Sequence, residues 1–156
     1  MPLPLLIFSL IVQLSLSGCF AQNRLPSTLI PDEYRVNLTV YLPSPHLVYP
    51  TTKNFTFDGE IVIRFHCVEP TNLITVNVDK LSVSATDKSL NDLSTDSHIA
   101  LWGMNFDQSQ QTLTIESSIP LVTGHNYSLF LRYTGKLSND LKGFYKTRYT
   151  DRTVEK

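Results

Sequence analysis

Apolar and polar residues alternate with a period of two along much of this 156-residue chain. That is the spacing of strands that turn one face toward a core. Tyr34, Val36, Leu38, Val40 and Leu42 alternate with Arg35, Asn37, Thr39 and Tyr41, which predicts a half-buried strand. Ile61, Ile63, Phe65 and Cys67 alternate in the same way with Glu60, Val62, Arg64 and His66. Ile74, Val76 and Val78 share a face in the stretch opening at Leu73, and a shorter strand is expected from Leu81 to Ala85. Leu113 and Ile115 point inward in a strand from Thr112 to Glu116, and Tyr127, Leu129, Leu131 and Tyr133 do so against Ser128, Phe130 and Arg132. No segment sustains the 3.6-residue apolar period of a helix. The expectation is an all-β fold, an antiparallel sandwich.

Turn chemistry divides these runs. Pro43-Ser44-Pro45 opens a loop reaching Lys53, Asp58-Gly59 signals a turn at the start of a strand, and Thr123-Gly124-His125-Asn126 leads into the last strand. The stretch from Asp87 to Ser97 is polar and rich in Ser, Asp and Asn, and reads as an exposed loop. There are no internal repeats or linkers, and the length fits one domain. Hydrophobic residues make up 42% and charged residues 17%, enough apolar content to bury a core.

The first residues stand apart from this pattern. Leu3 to Leu16 is nearly continuous Leu, Ile, Val and Phe, shorter than the ~20 apolar residues of a membrane span. Residues 1–21 read as a signal peptide, with Cys19 and Ala21 as the small residues before Gln22, and residues 22–156 as the domain. An uncleaved anchor is the alternative, because only the α-amino group supplies positive charge ahead of Arg24. Leu16-Ser17-Gly18-Cys19 also resembles a bacterial lipobox. Three sequons argue against that reading: Asn37-Leu38-Thr39, Asn54-Phe55-Thr56 and Asn126-Tyr127-Ser128. Each lacks a central proline and is a candidate N-glycosylation site in a eukaryotic secretory pathway. Asn37 and Asn126 fall on the polar faces of their strands. The expected address is secreted or on the extracellular face of the plasma membrane.

Charge and side-chain chemistry narrow the function. The formal net charge is -1, with no basic stripe to neutralise a phosphate backbone, so nucleic acid is not an expected partner. Without Cys19, Cys67 is the one remaining thiol, a small buried hydrophobe by expectation rather than half of a disulfide. A catalytic zinc centre needs several convergent ligands, commonly two histidines on one helical turn. The four histidines here, His46, His66, His98 and His125, are dispersed, and none is followed by Glu. His66 and Cys67 are neighbours on a strand and point to opposite faces. No Gly-x-Ser-x-Gly elbow and no Gly-rich phosphate loop occurs. Asp58 and Glu60 share a strand face, which by itself assigns them no acid–base role. No catalytic, cofactor-binding or metal-binding residue is expected in this chain.

Several of these segments together resemble the amino-terminal domain of the aminopeptidase N family of zinc aminopeptidases. The resemblance is carried by Arg24-Leu25-Pro26 followed by Leu29, Pro31 and Tyr34, and by Phe57-Asp58-Gly59-Glu60-Ile61-Val62-Ile63. It continues through Thr71 to Val78 and Leu81, then Tyr127-Ser128-Leu129 and Tyr133-Thr134-Gly135, and ends at Leu141-Lys142-Gly143-Phe144-Tyr145-Lys146-Thr147-Arg148-Tyr149. It implies a saddle-like β-sandwich that packs beside a catalytic domain in full enzymes. Gly59 and Gly143 are expected where a turn or a close backbone approach excludes a Cβ, and Phe144, Tyr145 and Tyr149 are read as packing residues. The family's amine-binding Gly-Ala-Met-Glu-Asn and its His-Glu-x-x-His do not occur in this sequence. The zinc the family uses would then be held elsewhere, and the β domain is expected to be incomplete at its carboxyl end. Two readings follow. One is a non-catalytic secreted glycoprotein domain that binds a peptide, a glycan or a full-length homologous aminopeptidase. The other is the front of a zinc aminopeptidase that removes amino-terminal residues from peptides.

Overall fold

The computed structural model describes residues 24–44, 46, 48–140, 143–147, 150–151 and 154–155. The segment read as a signal peptide, Cys19 with it, lies outside the described residues, as do Pro45, Leu141, Lys142, Arg148 and Tyr149.

Eight strands build the domain: β1 (Leu29–Tyr41), β2 (Thr56–Cys67), β3 (Thr71–Asn77), β4 (Leu81–Asp92), β5 (Ser97–Ile99), β6 (Leu101–Asp107), β7 (Thr112–Leu121) and β8 (Asn126–Lys136). A small hairpin, β9 (Thr150–Asp151) and β10 (Val154–Glu155), follows. Among the described residues the only helical turn is a single 3-10 turn, Thr51–Lys53. One sheet has five strands in the order β1-β2-β8-β4-β5, and the other has three in the order β3-β7-β6. All pairings within these two sheets are antiparallel. The fold is thus an antiparallel β-sandwich, as the alternation predicts.

Alternation also places the core. Ile63, Phe65 and Cys67 of β2 and Tyr127, Leu129 and Leu131 of β8 turn inward and are nearly inaccessible. They meet Ile74 of β3 and Leu113, Ile115 and Leu121 of β7 across the sandwich. Burial of an aliphatic or aromatic side chain of this kind contributes about 1.5–3 kcal/mol. Phe65 and Tyr127 stack with ring centroids 5.6 Å apart, and the Tyr127 hydroxyl accepts a bond from the Val122 N–H at 2.8 Å. The buried tyrosine therefore keeps a polar partner.

Three local expectations are corrected, and one strand is added that the sequence reading does not contain. Asp87 to Ser97 is not one exposed loop. Strand β4 runs on to Asp92, with Leu90 fully buried, and only 93–96 form the turn into β5. The β8 edge offers backbone partners from Leu131 to Tyr127, and a register shift between Val83 and Lys88 absorbs the interruption. Strand β6 breaks its own alternation through a shift between Leu101 and Met104, which hides it from a period-two reading. Asp58-Gly59 is not a turn but lies inside β2, opposite Thr134 and Tyr133. Finally, the apolar face of β1 is not half-buried. Tyr34, Val36, Leu38 and Val40 are 58%, 53%, 42% and 37% exposed. They share the inner face with Ile63, Ile61, Gly59 and Phe57 of β2, but the facing sheet is only three strands wide and packs over β2, β8 and β4.

Candidate functional site

The outer face of the five-stranded sheet carries Asp58, Glu60 and Arg132, and their partners decide what chemistry they offer. At the start of β2, Asp58 Oδ2 accepts bonds from Lys53 Nζ at 2.6 Å and from the Tyr41 hydroxyl at 2.8 Å. Lys53 Nζ also sits 4.5 Å from the centroid of the Tyr41 ring. The bond from Lys53, then that from Tyr41, holds the Asp58 carboxyl below the usual carboxylate range, and the same bond raises the Lys53 ammonium. Asp58 is thus committed to two donors rather than poised as a base. Asp58, Thr134 and Ser82 form one row across β2, β8 and β4 and floor an open cleft of about 680 Å³, with Lys80 and Lys136 at its rim. Next along the sheet, the Arg132 guanidinium donates to Glu60 at 2.8 Å and stands 3.6 Å from Asp87. These groups are solvent-exposed, where such pairs contribute little to stability.

Three of the four histidines have a side-chain partner of their own. His66 Nδ1 lies 3.0 Å from Asp32, and His98 Nδ1 lies 3.2 Å from the Asn91 side-chain oxygen. His46 is exposed in the β1–β2 loop. His125 in the β7–β8 turn reaches Asp92 Oδ2 at 2.8 Å, and Asp92 is 5% exposed. The other Asp92 oxygen accepts the backbone N–H groups of Ser94 and Thr95 at 2.8 and 3.3 Å. Burial pushes the Asp92 carboxyl up, but the bonds from His125, Ser94 and Thr95 together outweigh it and leave it lowered. This pair ties the β4–β5 turn to the β7–β8 turn across 33 residues, and nothing local in the sequence announces it. Among the described residues no serine hydroxyl is hydrogen-bonded to a histidine ring, so the serine–histidine step of a nucleophilic triad is not assembled there.

Cys67 is 1% exposed, and its thiol donates to the Glu69 carbonyl oxygen at 3.1 Å. Burial pushes this thiol up, away from the thiolate that nucleophilic or metal-binding chemistry requires. His66 and Cys67 face opposite sides of β2, one toward Asp32 and the other into the core. Among the described residues no three His, Cys, Asp or Glu side chains stand close enough to hold a metal ion. The donors present therefore do not fit the zinc that the resemblance implies for a full enzyme.

The sequon asparagines lie at the surface. Asn37 and Asn126 are exposed on the outer face, at the β1 edge and at the start of β8, while Asn54 is half-buried beside the 3-10 turn. An exposed apolar row runs along the inner face of β1, formed by Tyr34, Val36, Leu38 and Val40. Trp102 on the edge strand β6 is exposed separately. Sequence reasoning located the β1 row but placed it inside the core. Its exposure depends on the width of the facing sheet, which no single strand encodes. Among the described residues no helix is long and apolar enough to cross a membrane.

Comparison with known proteins gives one consistent result. Residues 30–156 match the peptidase M1 N-terminal domain. Aminopeptidase N from Bos taurus is 32% identical over 145 residues, covering 85% of this chain and 14% of that protein. Aminopeptidase N from Rattus norvegicus is 33% identical over 142 residues, covering 83% of this chain and 13% of its own length. Aminopeptidase 2 from Candida albicans is 34% identical over 107 residues, which is 67% of this chain and 10% of the yeast protein. The chain thus spans about one seventh of the length of the aminopeptidase N relatives.

Proposed function

Because the chain belongs to the peptidase M1 family through its N-terminal domain, we propose that it is a non-catalytic, secreted glycoprotein module that works by packing or binding through a β-sheet surface. The observation that carries this reading is the pairing of its titratable groups. Asp58, Glu60 and Asp92 each hold a cation, a hydroxyl or a histidine in a structural bond, while the broad uncommitted surface is the apolar inner face of β1. A signal peptide at residues 1–21 and N-glycans on Asn37, Asn54 and Asn126 complete the proposal. The exposure of Asn37 and Asn126 supports it, since a glycan there projects into water.

A second reading is favoured by a separate observation, the coverage of only 14% of the Bos taurus relative. On that reading the chain is the front of a zinc aminopeptidase, and zinc and the bound peptide amine are held by residues outside it. Both readings assign no hydrolysis to these residues alone. The test is to incubate the purified glycosylated chain with zinc and amino-acid anilides. No release above the blank is expected. Hydrolysis that disappears with a chelator and returns with zinc would overturn the proposal.

A further inference from the structure

We propose that Asn126 accepts its glycan only while β8 is unpaired, and that the strand order of the five-stranded sheet holds this window open. The inference rests on the reading of Asn126 as an N-glycosylation site. Transfer joins the Asn126 side-chain amide nitrogen to the anomeric carbon of an oligosaccharide carried on a lipid diphosphate. The N–C bond forms, the C–O bond to phosphate breaks, and one amide proton passes to a base of the transferase. The transferase must take hold of Asn126, Tyr127 and Ser128 together, because the hydroxyl two residues on is part of the signal.

In the folded chain that tripeptide is closed. β8 lies between β2 and β4, and Phe65 and Asp92 stand opposite Tyr127 on its two flanks. Tyr127 is 1% exposed, stacked on Phe65, and its hydroxyl accepts the Val122 N–H. The Asn126 N–H donates to Ser94 Oγ at 2.9 Å, and the Asn126 carbonyl accepts the Leu93 N–H at 2.8 Å. Freeing the tripeptide therefore parts β8 from both neighbours and draws Tyr127 out of the core, leaving paired backbone groups without partners. The glycosylated product meets no such barrier. The Asn126 side chain is exposed on the outer face, so a glycan already in place stays in water as the strand closes. Topology supplies the window. β8 is the last of the eight sandwich strands to be made, yet it lies at the centre of the order β1-β2-β8-β4-β5. Before it exists nothing joins β1-β2 to β4-β5, so the sequon is synthesised ahead of the sheet that closes around it.

The test uses residues 22–156 made without glycans in bacteria, their folding checked by circular dichroism, with a peptide of residues 122–132 as the open acceptor. Both are offered to a solubilised eukaryotic oligosaccharyltransferase with its lipid-linked donor, and occupancy of Asn126 is read by mass spectrometry. The peptide should be modified, and the folded chain roughly a hundredfold more slowly at Asn126. Gly135→Ala, at the far end of β8, should raise the chain's rate about 5–30-fold, because the open population grows as stability is lost. Equal rates for peptide and folded chain would overturn the proposal, as would a rate indifferent to a measured loss of stability. A peptide that accepts nothing would overturn the reading of Asn126 as a site, and the proposal with it. If the bare chain does not fold, pulse–chase labelling in secreting cells carries the test. The Asn126 glycan should be present before the chain becomes resistant to trypsin, and its addition to molecules already resistant would overturn the proposal.

Discussion

The spine of the five-stranded sheet contains two reciprocal aromatic–glycine pairs, and replacing one of the glycines gives a sharp test. Phe57 of β2 stands opposite Gly135 of β8, and Gly59 of β2 stands opposite Tyr133 of β8. Each ring lies across the backbone of the glycine facing it. A Cβ on Gly135 would come within 2.7 Å of Phe57 Cε1 and 2.9 Å of Leu81 Cδ2, closer than carbon atoms tolerate. Phe57 has little room to retreat. It is 6% exposed, with the Phe144 ring centroid at 5.4 Å and that of Tyr133 at 6.4 Å, both edge-on. Overpacking of a filled site costs about 1–3 kcal/mol, while replacing a strand glycine by alanine otherwise returns about 0.5–1 kcal/mol. Gly135→Ala is therefore expected to destabilise by about 1–2 kcal/mol, a fall of about 5 °C in Tm for a domain of this size. Thermal melts followed by circular dichroism on residues 22–156 measure it. Shrinking the ring with Phe57→Leu first should remove most of the penalty, giving a coupling of about 1 kcal/mol in a double-mutant cycle. A Gly135→Ala protein as stable as its parent, or more stable, would refute the packing argument.

Other predictions concern the polar latch, the thiol and the surface asparagines. Asp92 is lowered in the folded state, so its contribution to stability is present above the ordinary carboxylate pKa and is lost as pH falls through its folded value. Melts taken from neutral to strongly acidic pH should show a loss below about pH 4 that shrinks in Asp92→Asn. Asp92→Ala strands the N–H groups of Ser94 and Thr95 and the His125 ring, and should cost about 1–3 kcal/mol by urea titration. Cys67 should resist iodoacetamide in the native protein and react fully in denaturant, and rapid native labelling would contradict its burial. Chain secreted from eukaryotic cells should lose mass on treatment with an N-glycosidase. Asn37→Gln and Asn126→Gln should each remove one glycan without shifting the melt by more than about 0.5 kcal/mol.

What could be read from the chain depended on how each strand is built. Strands β2, β7 and β8 were legible because their alternation is unbroken over the core, from Ile61 to Cys67, from Leu113 to Ile115 and from Tyr127 to Tyr133. β4 was legible only from Leu81 to Ala85, and β6 not at all, because a register shift inside each throws its apolar residues out of phase and leaves Leu90 alone in a polar stretch. β1 was legible as a strand, but not its exposure. Val36 and Leu38 have the same pattern as Ile61 and Ile63, and only the narrowness of the opposite sheet separates them. Gly59 was recognised as a position that excludes a Cβ, through the close approach of the Tyr133 ring, while Gly143 with φ 66° takes the left-handed turn conformation. The Asp92–His125 pair was invisible because it joins two turns that become neighbours only once β4 and β8 have paired.

The central claim is that the sandwich is covered on β2, β8 and β7 and open on the inner flank of β1. Hydrogen exchange of the glycosylated chain, measured by mass spectrometry at low concentration, tests it most directly. Peptides from β2, β7 and β8 should exchange at the slow rate of global unfolding, and the peptide covering 34–42 at least an order of magnitude faster. A β1 as protected as β8 under those conditions would mean that the flank is covered, and would contradict the account.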